Sequence, residues 1–235
     1  MKEKILLYMI ILSSTKKMDG IKSWSLNAGE TCPGSRDPIT KKINPVCEGC
    51  YAKSNRYSFK KVIETRSENK KGWKHDNWVD EFVKKIKNEK YFRWFDSGDA
   101  YCISLIKKIK EIIEKTPNTK HWLPTKSFNL PILKKYLDEI KELPNVCVRY
   151  SSPSIDGYWD KNIHGSTCIP LEKIDLLKND PDVFICTAGK HTGIYKCNGC
   201  KACWDKNIKC IAYIAHGRRI KKLLNNINLP NSQIR

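Results

Sequence analysis

Hydrophobic residues along this chain occur in two patterns, short runs typical of strands and longer stretches with helical spacing. Strand-like runs span 21–27, 91–96, 121–125, 146–150, 164–169 and 183–186. Apolar residues with helical spacing occur at 76–90, 103–113, 132–140 and 171–177, and a basic helix is predicted at 218–226. Because strands that alternate with helices form parallel sheets with right-handed crossovers, the pattern predicts an α/β fold, a partial (βα)6 barrel.

Polar and metal-binding residues occur where the first four predicted strands end. Cys32 follows the first strand, Ser97, Gly98 and Asp99 follow the second, Lys126 follows the third, and Ser151 follows the fourth. Parallel sheets bind ligands at the carboxyl ends of their strands, so we predict that these residues share one rim. The turn at Gly98 and the carboxylate of Asp99 suit an ammonium group, although the same residues are ordinary turn composition.

Two cations in this set suit an anionic group on a ligand. Lys126 and Arg149 are predicted to bind a carboxylate or a phosphate. Arg149 lies within a strand-like run, where a charge is costly unless it is paired. Burial of parallel strands on both faces favours a functional role for Arg149, whereas its alternation with Val148 and Tyr150 could point it to solvent. Ser151 begins a loop suited to contact ribose or carboxylate oxygens.

The chain is strongly basic. Its 235 residues include 44 Lys and Arg against 25 Asp and Glu, which gives a net charge of +19. Such a surplus attracts polyanions, so we predict a nucleic acid or a nucleotide-like substrate. The alternative is that the lysines only solvate helix faces. Apolar residues make up 40% of the chain, enough to fill the core of a sizeable domain.

The N-terminal segment is hydrophobic but short. Eight apolar residues follow Lys4, without a small-residue cleavage site, and a helix that spans a bilayer needs ~20. We therefore predict no membrane-spanning segment and a location in the cytoplasm. The predicted organisation is an N-terminal extension or edge element at 1–20, the partial barrel at 21–185 and a cysteine-rich segment at 186–235.

The first of two cysteine groups contains Cys32, Cys47 and Cys50. Fourteen residues and then two residues separate these three cysteines. A C-x2-C pair in a chain of this size indicates a metal centre in a reducing compartment. Three thiolates leave one iron of a [4Fe–4S] cluster open, which is typical of a reactive site. The alternative is a zinc site that His75 or another cysteine completes.

The second group is a C-x2-C-x2-C stretch formed by Cys197, Cys200 and Cys203. Ferredoxin-type clusters use the same spacing. A fourth ligand is needed, and both Cys186 and Cys210 are within reach; a zinc site with four thiolates is the alternative. The remaining cysteines of the eleven are predicted to be small buried hydrophobic residues: Cys102, Cys147, Cys168 and Cys210.

Six motifs, taken in order, resemble the phage gene 88 protein family. They are TCPG (31–34), CEGCYA (47–52), FDSGD (95–99), TKS (125–127), CNGCKACW (197–204) and AYIAHG (212–217). This family is similar to radical-SAM proteins, in which a three-cysteine loop after the first strand holds a cluster that chelates S-adenosylmethionine. The usual loop of that superfamily is C-x3-C-x2-C, whereas the first gap here is fourteen residues.

The resemblance implies a phage-encoded, radical-SAM-like enzyme in the host cytoplasm, with two [4Fe–4S] clusters and S-adenosylmethionine. It assigns Cys32, Cys47 and Cys50 to the first cluster and favours Cys186 as the fourth ligand of the second. An electron donor is an expected partner. The rival is a non-enzymatic iron–sulfur or zinc protein that binds nucleic acid on the same fold. The residues predicted to bind the cofactor are Tyr51, Ser97, Gly98, Asp99, Lys126, Arg149 and Ser151.

Overall fold

Residues 10–189 and 192–227 are described by a computed structural model, and their strands form two sheets. The first sheet has five strands in the order β1-β2-β3-β4-β5. β1 is an antiparallel edge strand, whereas β2 to β5 run parallel. The strands are β1 (Ser13–Ser14), β2 (Lys22–Trp24), β3 (Tyr91–Trp94), β4 (Lys120–Thr125) and β5 (Val146–Tyr150).

Helices make the crossovers that parallel strands require. Between β2 and β3 the chain forms the short α1 (Pro45–Glu48), then α2 (Lys60–Gly72) and α3 (Trp78–Ile86). The later crossovers are α4 (Ile103–Glu114) and α5 (Pro131–Lys141). In α4, Ile106, Ile109 and Ile113 recur at helical spacing and are buried. The polar face of each helix therefore stays in solvent.

The core of the first sheet is large and aromatic. It contains 25 buried residues of the described chain. At its centre the Trp24 ring lies 6.2 Å from Phe82 and 6.1 Å from Trp94, and Phe82 stacks on Trp94 at 5.1 Å. Aromatic side chains bury more area than any others, so this packing makes the first sheet a rigid support.

The second sheet is smaller and consists of three parallel strands in the order β6-β8-β7. Its strands are β6 (Ser166–Ile169), β7 (Val183–Ile185) and β8 (Cys210–Ile214). Between β6 and β7 lies α6 (Asp175–Lys178), and α7 (Arg218–Ile227) follows β8. A parallel bridge between Ser151 and Ser166 joins β5 to β6. The two sheets therefore meet where β5 ends.

The predicted elements are confirmed, and further elements were not predicted. All six predicted strands form, and so do the predicted helices. The described chain also contains α2 and β8, which were not predicted, and β8 lies between β6 and β7. The partial barrel stays a prediction.

Strand pairing crosses the boundaries of the three segments predicted at 1–20, 21–185 and 186–235. Within 1–20, the described residues contain the edge strand β1, as expected for an edge element. The boundary at 185/186 separates β7 from β8, although these two strands pair in one sheet. None of the helices formed by the described residues has the length and apolar character needed to cross a bilayer.

Candidate functional site

One cavity of about 530 Å³ is bordered by every predicted site residue except Arg149. Its wall is formed by residues that follow β2, β3, β4, β5 and β7, together with parts of β6 and β8. All seven cysteines that were assigned to metal centres border it: Cys32, Cys47, Cys50, Cys186, Cys197, Cys200 and Cys203. Residues far apart in the sequence are thus brought to one chamber at the carboxyl ends of the strands.

A close backbone contact positions the loop that carries Cys32. A Cβ atom on Gly34 would lie 1.9 Å from the carbonyl oxygen of Lys126, so only glycine allows this approach. Asn44 Nδ2 then donates a 3.0 Å hydrogen bond to the Gly34 carbonyl. The TCPG loop is therefore packed directly against the end of β4.

The other two cysteines of the first group are positioned by α1 and the turn after it. Cys47 lies in α1 and Cys50 directly follows Gly49. A Cβ atom on Gly49 would lie 2.8 Å from Cγ1 of Ile220, so α7 packs closely on this turn. The C-x2-C turn is thus enclosed between the cavity and the C-terminal helix.

Electrostatic coupling shows that the three thiols of this group are neighbours. Burial, together with the nearby Asp99, Cys47 and Cys50, raises the pKa of the Cys32 thiol to about 12. Burial also raises the pKa of Cys47, and Lys126 partly opposes this effect. The free Cys32 and Cys47 thiols are therefore protonated, and a bound metal ion would release their protons.

The second group gathers around β7 and β8. Cys186 follows β7, and its N–H donates a 2.9 Å hydrogen bond to the Ala212 carbonyl in β8. Burial and nearby Cys186 raise the pKa of Cys197, and burial raises the pKa of Cys203 to about 11. Cys210, the alternative fourth ligand, lies in the hydrophobic core of the second sheet and does not border the cavity. The geometry therefore favours Cys186.

Arg149 does not border the cavity, which corrects its prediction as a cofactor-binding residue. Its side chain is only 2% exposed, and all five of its N–H groups donate to backbone carbonyls at 2.8–3.1 Å. Three of these carbonyls belong to the loop of the second group: Ala202, Cys203 and Asp205. No donor is left for a ligand. The Arg149 guanidinium was predicted to bind an anionic ligand group, whereas it holds the second cysteine loop in position.

The N-terminal segment also supports the second cysteine loop. Cys197 N–H donates a 2.7 Å hydrogen bond to the Lys17 carbonyl. Gly199 N–H donates to the Asp19 carboxylate at 2.9 Å, and Lys201 Nζ lies 3.7 Å from the same oxygen. These contacts join residues about 180 positions apart. Sequence reasoning missed them because nothing local indicates them.

The turn after β3 borders the cavity, but its side chains already have partners. Ser97 Oγ donates to the Leu26 carbonyl at 2.7 Å. Gly98 has a φ of +74°, and a Cβ atom there would lie 2.6 Å from Thr31 Oγ1. The Asp99 carboxylate accepts hydrogen bonds from Thr125 Oγ1 (2.6 Å), Lys126 N (2.8 Å) and Ala100 N (2.7 Å). This turn therefore fastens the first cysteine loop to β4 as well as facing the chamber.

Lys126 is the cation best placed for a ligand. It borders the cavity, is half-buried, and its ammonium has no hydrogen bond or ion pair within the described part of the chain. Its charge lowers the pKa values of Cys47 and Cys168 against the effect of burial. Tyr51 and Ser151 border the same chamber. Of these three residues, Lys126 keeps its ammonium available, whereas Tyr51 Oη donates to the Asp96 carbonyl at 2.9 Å and Ser151 Oγ accepts from Ser166 Oγ at 3.1 Å.

A polar network on the cavity wall was not predicted. The Asp96 carboxylate accepts hydrogen bonds from Arg93 Nη1 (3.0 Å) and Tyr57 Oη (2.8 Å), and Tyr51 Oη donates to the Asp96 carbonyl at 2.9 Å. The Arg93 guanidinium lies 4.7 Å from the ring centre of Trp122, a cation–π contact. The signal was available, since Arg93 is a charge inside a strand-like run, as Arg149 is.

The remaining cysteines and His75 lie in different surroundings. Cys147 and Cys210 are buried, as predicted for packing residues. Cys168 also borders the cavity, which was not expected. His75, considered as a zinc ligand, does not border it. The chamber thus contains eight thiols.

The cavity offers sulfur donors to a metal centre. Thiolates are soft ligands that suit iron–sulfur clusters and zinc, and two groups of three and four sulfurs face the cavity. Across residues 10–189 and 192–227, however, no group of three or more His, Cys, Asp or Glu is arranged so that it could hold a metal ion. The chemistry fits a sulfur-ligated centre, whereas the free side chains do not by themselves form a closed ligand shell.

Fold and site together define an α/β protein with a chamber lined by two cysteine groups. A sequence model of the family described as gene product 88 matches residues 9–206. The chain therefore belongs to the gene product 88 family, the phage family that its motifs resemble. No curated protein and no solved structure matches the chain. The matched region contains both cysteine groups and ends before β8 and α7.

Proposed function

We propose that this chain is a radical-SAM-like iron–sulfur enzyme that modifies a nucleic acid or a nucleotide-like substrate. One observation carries the proposal: the seven cysteines selected by their spacing all border a single chamber. Buried structural cysteines would instead be scattered singly through the core, as Cys147 and Cys210 are.

The two groups would hold two [4Fe–4S] clusters. Cys32, Cys47 and Cys50 would bind the first and leave one iron open, and Cys186, Cys197, Cys200 and Cys203 would enclose the second. When bound, the first cluster supplies the electron that cleaves S-adenosylmethionine. The protein supplies binding, orientation and exclusion of water.

Residues of the chain itself would orient the cofactor. Lys126 has an available ammonium beside Cys47 and would bind the cofactor carboxylate. Asp99 holds Lys126 N and borders the same space, so it would set the position of that lysine. Tyr51 and Ser151 would contact the remaining polar atoms of the cofactor.

Partners and compartment follow from the same chemistry. An electron donor is required because a cluster must be reduced before it can transfer an electron. All eleven cysteines are free thiols, which suits a reducing compartment such as the host cytoplasm. The net charge of +19 favours a polyanionic substrate.

A second candidate is a non-enzymatic iron–sulfur or zinc protein that binds nucleic acid. The four-sulfur group favours it, because a closed ligand shell has no open position for chemistry. The basic surface would serve either function.

Cleavage of S-adenosylmethionine separates the two candidates. Protein reconstituted anaerobically and reduced with dithionite in the presence of S-adenosylmethionine should release methionine and 5′-deoxyadenosine. The Cys47→Ser/Cys50→Ser variant is the matched control and should release neither. A wild-type protein with a full iron content that releases neither product would remove the enzyme and leave the binding protein.

A further inference from the structure

The C-terminal helix α7 differs in charge from every other long helix of the described chain. Between residues 206 and 235 the sequence contains seven Lys and Arg and no Asp or Glu. Four of these cations lie in the first five residues of α7: Arg218, Arg219, Lys221 and Lys222. All four are exposed.

Each of the other long helices has carboxylates that pair with some of its lysines. Lys84 pairs with Glu81 on α3 at 2.7 Å, and Lys115 pairs with Glu111 on α4 at 2.8 Å. On α5, Lys134 pairs with Asp138 at 2.6 Å. By contrast, no cation of α7 forms an ion pair with any residue that the structure describes. The positive charge of α7 is therefore left for an external anion.

The position of α7 connects this charge to the cavity. Ile220, on the opposite face of the helix, is buried, borders the cavity and packs against Gly49 of the first cysteine loop. Arg219 Nη2 and Nε lie 3.3 and 3.4 Å from the Glu48 carbonyl, so the helix is tied to the same loop. The basic face of α7 is thus at the rim of the chamber.

An aromatic side chain lies on this loop, two residues after Gly49. Tyr51 is 43% exposed, borders the cavity and packs edge-on against Tyr57 at 5.3 Å. Exposed aromatic rings beside a basic groove are how proteins hold single-stranded nucleic acid, with bases stacked and phosphates paired to cations. An acidic peptide would use the charge but would leave the ring without a stacking partner.

We propose that α7 is a docking surface for the phosphate backbone of a single-stranded nucleic acid, with a base directed past Tyr51 into the chamber. Arg218, Lys221 and Lys222 are the phosphate contacts. The inference deepens the proposed function by locating its substrate, and it rests on that proposal only for the substrate class.

Salt-dependent binding tests this surface. Full-length protein is titrated against a fluorescein-labelled 20-nucleotide single strand, as RNA and as DNA, from 50 to 300 mM salt. The Arg218→Gln/Lys221→Gln/Lys222→Gln variant should bind at least tenfold more weakly at 50 mM. The slope of log K against log salt should fall by about 2, since each phosphate contact contributes about 0.7 on a single strand.

The matched control removes the same charge elsewhere. Lys84→Gln/Lys85→Gln/Lys87→Gln alters exposed cations on and just after α3, which does not border the cavity, and should leave the slope unchanged. An equal loss in both variants would show that the charge acts diffusely and would overturn the proposal. So would an absence of oligonucleotide binding at 50 mM, including the case in which the protein binds only vesicles containing 30% phosphatidylserine.

Iron content separates this proposal from the proposed function. The α7 variant and the α3 control variant are both expected to keep the iron content of the wild-type protein, because neither alters a cysteine. A protein that binds the oligonucleotide through α7 but cleaves no S-adenosylmethionine would retain the docking surface and reject the enzyme. Cleavage without oligonucleotide binding would do the reverse.

Discussion

The two sheets hold their cysteine groups in different ways. The first sheet, β1 to β5, has a core of 25 buried residues, and its cysteine loop is fixed by close contacts at Gly34, Gly49 and Gly98. The second sheet, β6 to β8, has a core of six buried residues, and its cysteine loop is fixed by hydrogen bonds from Arg149 and to Asp19.

The two halves of the molecule thus fix a cysteine loop at the cavity in two different ways. A large aromatic core makes a rigid surface, so a loop can be positioned by shape alone, and glycine permits the approach. A small core gives little rigidity, so the loop needs specific polar anchors. Arg149 is suited to this task because its planar guanidinium offers five donors in fixed directions. We therefore expect the first half to be sensitive to volume and the second half to be sensitive to lost hydrogen bonds.

The largest expected effect comes from removing the anchor of the second loop. Arg149→Met would leave five backbone carbonyls without their donor, and the free energy of unfolding should fall by about 3 kcal/mol or more. Urea denaturation measures this loss. Arg36→Met is the control, since Arg36 is exposed and makes a single bond to the Lys41 carbonyl. Equal stability of the two variants would contradict the anchoring role.

A volume change should damage the first loop instead. Gly34→Ala would place a methyl group on the Lys126 carbonyl, and the shift needed to relieve the overlap should cost about 1–3 kcal/mol. Gly20→Ala is the control. Alanine at position 20 would be strained by the φ of +81°, but its methyl group would have open space around it. Thermal unfolding of both variants separates the overlap from backbone strain. A smaller loss for Gly34→Ala than for Gly20→Ala would show that the loop moves freely.

Acid should act on the core of the first sheet. His121 is buried between Trp94 Nε1, which donates to its Nδ1, and Thr116 Oγ1, 2.9 Å from its Nε2. Burial lowers the pKa of His121 from 6.5 to about 3. Between pH 6.5 and pH 3 this histidine is therefore protonated in the unfolded chain but neutral in the folded protein. The free energy of unfolding decreases as the pH falls from 6.5 towards 3.

The slope of this loss is measurable. Each pH unit in that window should lower the free energy of unfolding by up to about 1.4 kcal/mol from this residue alone. Urea titrations at pH 7, 6, 5 and 4 provide the slope. His121→Gln should be less stable at pH 7 but should have a shallower slope. Parallel slopes for both proteins would place the acid sensitivity elsewhere.

The smallest expected effect concerns the charge beneath the second loop. Asp19 has a φ of +55°, a conformation that asparagine also tolerates, so Asp19→Asn changes the charge and leaves the backbone unstrained. The weakened bond to Gly199 N–H and the lost attraction for Lys201 should cost less than about 1 kcal/mol. Thermal unfolding at low and high salt measures it, and salt should reduce the difference. A loss as large as that of Arg149→Met would make Asp19 the main anchor.

Local patterns were sufficient for much of the fold. The run at 146–150 became β5 with the predicted bounds, because five consecutive buried residues form a recognisable signal. The cysteine spacings placed both C-x2-C turns at the cavity, since neighbouring thiols in a tight turn stay together wherever the turn lies.

Long-range partners were beyond reach of the sequence. The rule that a buried charge must be paired applied to Arg149, but its partners are carbonyls up to 59 residues away. Backbone carbonyls carry no residue-specific signal, so a ligand was predicted in their place. The same reasoning explains why the contact between Asp19 and Gly199 went unpredicted. The strand β8, by contrast, is a local apolar run that was overlooked, and only its place between β6 and β7 depends on long-range pairing.

Iron counted per chain tests the central claim most directly. Anaerobically reconstituted protein should contain about eight irons, four for each cysteine group. The Cys47→Ser/Cys50→Ser and Cys197→Ser/Cys200→Ser variants should each retain about four. Wild-type protein that binds zinc instead would contradict a chamber with two separate clusters. So would a result in which one of the two variants loses all its iron and the other loses none.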